Sequence, residues 1–264
     1  MVFREKLYLQ DQLIIKSYGV NQIKLVHMNK YRNPNVENDD VYRCRVVGVN
    51  SEKLYDNIIR ARSVLLELAL CNPWDFFFTG TFSPVKYDRA DLSNLNKLIS
   101  QWIRDYNKKH GTNIKYVFVP ELHGDRKNWH MHGLIFGLPK SHLRQFQIGD
   151  IMGKGIAEKV KNNEVVFNWC AYAEKFGFCD LEPIRDINKT ASYLAKYISK
   201  DFNDGVTSLN KHKYYSSKGL NRAKREAFGN CDLPIEWDYS NDFCSIKTLP
   251  YSVEVLEELK RSIY

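Results

Sequence analysis

The chain has 264 residues, with 39 Lys and Arg against 31 Asp and Glu, a net charge of +8. That length suits one large domain or a core with extensions, and 44% apolar beside 27% charged residues excludes a disordered chain. No run approaches the roughly 18 uncharged apolar residues of a membrane helix, and the N-terminal MVFREKLYLQDQLIIKSYG lacks a signal peptide's apolar stretch.

The elements follow in chain order. Short apolar runs at Leu13 to Ile15 and Ile23 to Val26 predict a strand pair, and the polar stretch Asn29 to Asp40 a loop or linker. Val41 to Val49 reads as a strand. Ser51 then caps a helix with Leu54, Ile58, Ala61, Leu65 and Leu68 at helical spacing, stopped at Asn72-Pro73. FFFTGTF, Phe76 to Phe82, has the composition of a buried strand. Asp91 opens a helix carrying Leu92, Leu95, Ile99, Trp102 and Tyr106, ended by Gly111. Ile114 to Glu121 and Trp129 to Phe136, joined by LHGDRKN, read as a hairpin. From Pro139 to about Val165 the pattern is mixed. A helix is expected from about Asn188 to Lys200, and a tail with a strand (Phe243 to Lys247) and a helix (Val253 to Ile263). This order predicts an α+β fold with helices packed on a largely antiparallel sheet.

Six cysteines (Cys44, Cys71, Cys170, Cys179, Cys231, Cys244) form no C-x-x-C pair. They read as reduced thiols of a cytoplasmic protein rather than as a zinc ribbon. The positive charge is concentrated: Ile187 to Arg225 holds nine basic residues (Lys189, Lys196, Lys200, Lys211, Lys213, Lys218, Arg222, Lys224, Arg225) against Asp201 and Asp204. A polyanion gains affinity for such a tract by releasing counterions. Tyr214 and Tyr215 within it offer rings for stacking on unpaired bases, which favours single strands.

Two constellations carry chemistry. In His130-Met131-His132 the imidazoles share one face of a strand, about 7 Å apart. Glu121, at the end of the partner strand, adds a carboxylate. Two imidazoles and one carboxylate leave coordination positions open, as a catalytic divalent ion requires. His123 lies in the turn and reads as exposed.

The second is NKTASYLAKYISK, Asn188 to Lys200. At about 100° per residue, Ile187, Ala191, Leu194, Ala195 and Ile198 form a core face, while Tyr193 and Tyr197 share the opposite arc with Lys189, Lys196 and Lys200. A neutral phenol is a poor nucleophile, and neighbouring ammonium groups favour its ionised form. A metal site, a tyrosine pair and a basic tract together suit attack on a phosphodiester.

In these motifs the chain resembles replication initiators of the HUH endonuclease superfamily, named for His, hydrophobic residue, His. His130-Met131-His132 matches that motif with Glu121 as third ligand, Tyr193 to Tyr197 matches Y-x-x-K and Y-x-x-x-Y, and FFFTGTF resembles the family's first motif. The likeness covers about Phe76 to Lys200 and is nearest to two-tyrosine initiators of single-stranded DNA phages and rolling-circle plasmids. It implies a central antiparallel five-stranded sheet with flanking helices, a nuclease domain over residues 41–229, and extensions at 1–40 and 230–264. It implies Mg²⁺ or Mn²⁺ bound by Glu121, His130 and His132, with Tyr193 and Tyr197 as nucleophiles and Lys196 in support. A 5′-phosphotyrosine intermediate is implied, as is a freed 3′-OH that primes rolling-circle synthesis. Lys189, Lys200, Lys211, Lys213, Tyr214, Tyr215, Lys218 and Arg222 are the expected DNA contacts. The partners are then single-stranded DNA or an origin hairpin, with helicase and polymerase supplied by the host cell.

Other readings are a non-catalytic origin-binding module that controls copy number, and a transposase or relaxase of the same superfamily. A zinc hydrolase would leave the lysine-flanked tyrosines unexplained.

Overall fold

A computed structural model describes residues 8–33, 51–203 and 212–264. Within them the elements are β1 (Tyr8–Tyr18), β2 (Gln22–Arg32), α1 (Ser51–Leu70), β3 (Phe76–Gly80), α2 (Leu92–His110), β4 (Lys115–Leu122) and β5 (Trp129–Phe136). There follow β6 (Leu143–Gln145), α3 (Lys154–Lys161), β7 (Phe167–Trp169), α4 (Cys170–Lys175), β8 (Cys179–Pro183), α5 (Ile187–Asn203), β9 (Tyr215–Ser216), β10 (Lys224–Gly229), β11 (Tyr239–Ser240), β12 (Cys244–Pro250) and α6 (Val253–Arg261). This is an α+β fold with two antiparallel sheets. The strand expected at Val41 to Val49 lies outside the described residues.

The chain divides into two compact units, one of Val49–Leu220 and one built from both chain ends. In the latter the strands run β10-β1-β2-β12-β11. Tyr18 and Gln22 close the β1–β2 hairpin, with Gly19 at φ 57° in the turn. Leu13, Ile15, Ile23 and Leu25 form one buried layer with Leu256 and Leu259 of α6. Ser252 caps the first turn of that helix, its side chain accepting from the Val255 N–H. The described parts of residues 1–40 and 230–264 thus share one sheet, Val26 of β2 facing Ile246 of β12.

In the larger unit the order is β6-β7-β8-β3-β5-β4-β9. Seven strands replace the five expected. The additions are short: β6 and β7 have three residues each and β9 has two, too few for an alternating pattern to show. One face of this sheet presents Phe76, Phe78, Tyr116, Phe118, Trp129, Met131 and Leu181 to the buried stripe of α2 and to Tyr172 and Phe176. Asp91 starts α2 by accepting from the Asn94 N–H, and Gly111 ends it in the left-handed conformation at φ 63°, as the sequence predicts.

The opposite face carries the polar residues of interest. Its apolar part, Val117, Val119 and Leu134, is fully buried, and α5, which packs on β4 and α1, buries Ala191, Leu194, Ala195 and Ile198. At Gly133 the β4 backbone comes so close that an added Cβ would run into the Val117 carbonyl and the Phe118 ring. Glycine is required there for the two strands to pair next to His132.

Among the described residues no helix is long and apolar enough to cross a membrane. Cys71, Cys170, Cys179, Cys231 and Cys244 are free thiols.

Candidate functional site

Strand register assembles the site. Glu121 of β4 lies directly opposite His130 of β5, and Val119 opposite His132. On the other side of β5, Thr79 of β3 faces His132, and Asp180 of β8 faces Thr79. Directly opposed residues of an antiparallel pair share a face, so Glu121, His130, His132, Thr79 and Asp180 lie on one surface.

Their contacts follow from that placement. The Glu121 Oε2 and His132 Nε2 atoms meet at 2.7 Å, and the Thr79 hydroxyl lies 3.4 Å from His132 Nδ1. Both Glu121 and His132 side chains are largely buried. His130 stacks on His123, ring centroids 4.8 Å apart, and lies 6.4 Å from the His132 ring. Burial first, then the charges of His123, His132 and Arg89, push the His130 imidazole down to about 4. It is therefore neutral near pH 7, the form in which imidazole ligates a metal. Among the described residues no three His, Cys, Asp or Glu side chains are gathered to hold an ion. The direct Glu121–His132 contact uses one donor on another. As a set, two imidazoles and one carboxylate on one face fit Mg²⁺ or Mn²⁺ in donor type.

The tyrosine helix lies over this surface. Asp186 begins α5, its carboxylate accepting from the Lys189 N–H at 3.1 Å. One turn further on, Tyr193 is 49% exposed and packs beside Phe77 of β3, centroids 5.6 Å apart. Tyr197 stacks flat on His132, centroids 4.2 Å apart and planes 9° from parallel. Its hydroxyl donates to the Tyr193 oxygen at 2.6 Å. Burial, and then the hydrogen bond to Tyr193, push the Tyr197 phenol well above its ordinary value. Lys196, between the two on the helix, is exposed.

The basic residues are dispersed. Lys189 is exposed, 3.8 Å from Asp186, and Lys218 is exposed, its carbonyl accepting from Lys115 Nζ. Lys213 and Tyr214 are half-buried. Tyr215, on β9 opposite Phe118, packs against the aromatic core, and burial pushes its phenol up. Arg222 is exposed in the unit formed by the chain ends. Lys211 lies outside the described residues, as does the side chain of Lys200.

Two residues beside the site escape motif reading. Asp180 is 5% exposed. Burial and the Glu182 carboxylate push its carboxyl up to about 7, against the opposing pull of Lys159 and the Thr79 hydroxyl. Arg89 precedes α2, its carbonyl accepting from the Trp129 N–H at 3.0 Å, and its Nε is buried without a hydrogen-bond partner. Neither falls in a spaced pattern, so only the assembled sheet reveals them.

A tyrosine pair seated on a histidine–carboxylate face of an antiparallel sheet, beside a half-buried arginine, has the chemistry that handling phosphate esters requires. The family model of the replication-associated protein ORF2 matches residues 75–202. That span runs from the residue before β3 almost to the end of α5 and contains Glu121, His130, His132, Tyr193 and Tyr197. Within it, the chain is similar to replication proteins. No curated protein and no solved structure matches the chain.

Proposed function

We propose that the protein is a site-specific nickase and ligase for single-stranded DNA that initiates rolling-circle replication of a phage or plasmid. The observation that carries this reading is the seat of Tyr197 on His132 with the Tyr193 oxygen one hydrogen bond away. The family match over residues 75–202 supports the replication part of it.

In this reading the Tyr193 oxygen attacks the scissile phosphorus after giving its proton to solvent. A bond from Tyr193 to phosphorus forms, the bond from phosphorus to the 3′ oxygen breaks, and that oxygen leaves as a 3′-OH once protonated. The DNA 5′ end stays on the protein as a phosphotyrosine. The hydrogen bond from Tyr197 holds the Tyr193 oxygen in place and stabilises its ionised form. Tyr197 is the nucleophile of a second transfer that closes the product strand. Glu121, His130 and His132 would hold Mg²⁺ or Mn²⁺, which when bound polarises a non-bridging phosphate oxygen. Lys196, Lys189 and Arg89 supply positive charge to the phosphates on either side. Helicase and polymerase come from the host cell, since initiation leaves only a primer.

The test mixes a labelled single-stranded origin oligonucleotide with protein and Mn²⁺ and resolves the products on a denaturing gel. A covalent protein–DNA band is expected, lost with EDTA and lost in the Tyr193→Phe, Tyr197→Phe double variant. Specific binding with no covalent band on any strand of its own replicon would replace this reading with an origin-binding module that regulates copy number.

A further inference from the structure

A cavity of about 450 Å³ opens beside the tyrosines. Its walls include the rings of Phe77 and Tyr193, the aliphatic side chains of Val165 and Ile184, and the Lys159–Glu182 pair. Glu182 of β8 lies directly opposite Phe77 of β3, so its carboxylate stands one strand away from the ring against which Tyr193 packs. Lys159 Nζ of α3 reaches Glu182 Oε2 at 2.5 Å. Among the described residues the other carboxylate oxygen, Oε1, makes no hydrogen bond. The cavity therefore combines flat aromatic and aliphatic surface with one carboxylate acceptor set next to one ammonium donor.

This combination has the shape and polarity of a nucleobase site. Aromatic rings stack on any base, so the choice among bases falls to the polar pair. A carboxylate is best satisfied by two adjacent N–H donors, and an ammonium by a carbonyl oxygen on the same edge. Guanine alone among the four presents both on its Watson–Crick edge: N1–H and the N2 amino group, next to O6. Adenine and cytosine offer one amino donor beside ring acceptors, and thymine offers a single N–H.

We infer that this cavity takes a guanine of the single-stranded substrate, in the nucleotide next to the phosphodiester on which the tyrosines act. Glu182 accepts from the guanine N1–H and N2 amino group, and Lys159 donates to O6 while remaining paired with Glu182. The inference rests on the nickase reading for its substrate class and adds the base that the site selects. Because the cavity adjoins Tyr193, seating this base fixes which phosphate meets the hydroxyl.

The experiment measures fluorescence anisotropy of the full chain with 20-nucleotide oligothymidylate strands. One strand is all thymine, and the others carry a single central guanine, adenine, cytosine or inosine. The guanine strand is expected to bind on the order of 10-fold more tightly than the all-thymine, adenine or cytosine strands. Inosine, which lacks the N2 amino group, gives up most of that preference without any change to the protein. In Glu182→Gln the ratio of guanine to thymine affinities falls towards one. Equal affinity for all strands, or an undiminished guanine ratio in Glu182→Gln, overturns the guanine site and leaves the nickase reading standing. Binding of none of these strands overturns both together.

Discussion

The Tyr197 hydroxyl donates a 2.6 Å hydrogen bond to the oxygen of Tyr193, one helical turn away. The two phenols are therefore unequal. Ionising Tyr193 turns that bond into a charge-assisted one, whereas ionising Tyr197 destroys it. Burial adds to the difference by holding Tyr197 in its neutral form.

The first prediction is an asymmetry of function. Tyr193→Phe lowers the rate of the first covalent step by more than about 10³-fold, as expected on losing a nucleophile. Tyr197→Phe leaves that step measurable and blocks the later rejoining. Single-turnover gels with the two variants check this, and a Tyr197→Phe protein that closes strands normally contradicts it.

Glu121 and His132 provide the second. Removing the carboxylate in Glu121→Ala should weaken Mn²⁺ binding about 10- to 100-fold, the range seen when a ligand or its immediate support is lost. Calorimetric titration of Mn²⁺ into each protein reads this directly. Unchanged affinity would remove Glu121 from the ligand set.

Asp180 gives a dependence on pH. Its folded-state pKa lies at about 7 against an ordinary 3.8, so between those values the folded chain holds a proton that the unfolded chain has released. Stability attributable to this group is accordingly greatest below about pH 4, falls as pH rises towards 7, and is flat above. The slope is at most about 1.4 kcal/mol per pH unit. Asp180→Asn, which cannot ionise, should gain on the parent protein across that window in urea unfolding curves. A gap that does not change with pH would assign Asp180 an ordinary carboxyl.

Arg89 is a cation with a buried, unpartnered Nε beside His130. Arg89→Ala should reduce both oligonucleotide affinity and the slope of that affinity against salt, by about one counterion. Arg89→Lys should restore the salt slope but not the full affinity, because an ammonium lacks the guanidinium's paired donors. A salt slope unaltered in Arg89→Ala argues for a packing role.

Gly133→Ala should cost about 1–3 kcal/mol and disturb the neighbouring His132, because the new methyl meets the β4 backbone. Gly124→Ala, in the hairpin turn with open space around it, is the matched control and should change stability little. Thermal unfolding of the pair distinguishes close approach of strands from a general loss of glycine.

Much of the site could be read before the fold because its parts are local. His130 and His132 announce themselves by strand alternation, Glu121 by its place in the same hairpin, and Tyr193 and Tyr197 by helical spacing beside a separate apolar stripe. β8 could not be read: Cys179-Asp-Leu-Glu-Pro183 has polar residues on the site face and a single leucine between them, a pattern indistinguishable from loop. Asp180 and Glu182 were hidden with it. The sheet joining β2 to β12 escaped for a different reason, since its partners are about two hundred residues apart and no local periodicity reports a pairing at that distance. Tyr215 lies in a basic tract yet packs inward, because pairing with Phe118 and not the charge of its neighbours sets its direction.

The flat stack of Tyr197 on His132 also sets an order of events. While the rings overlap, one side of the imidazole is shielded and the second hydroxyl stays tied to the first. For Tyr197 to reach a phosphate of its own, its ring must slide off the histidine. The protein thus carries a built-in cover over half of its reactive surface, lifted only when a strand competes for the space. An idle molecule among the host's own single strands is to that extent a guarded one.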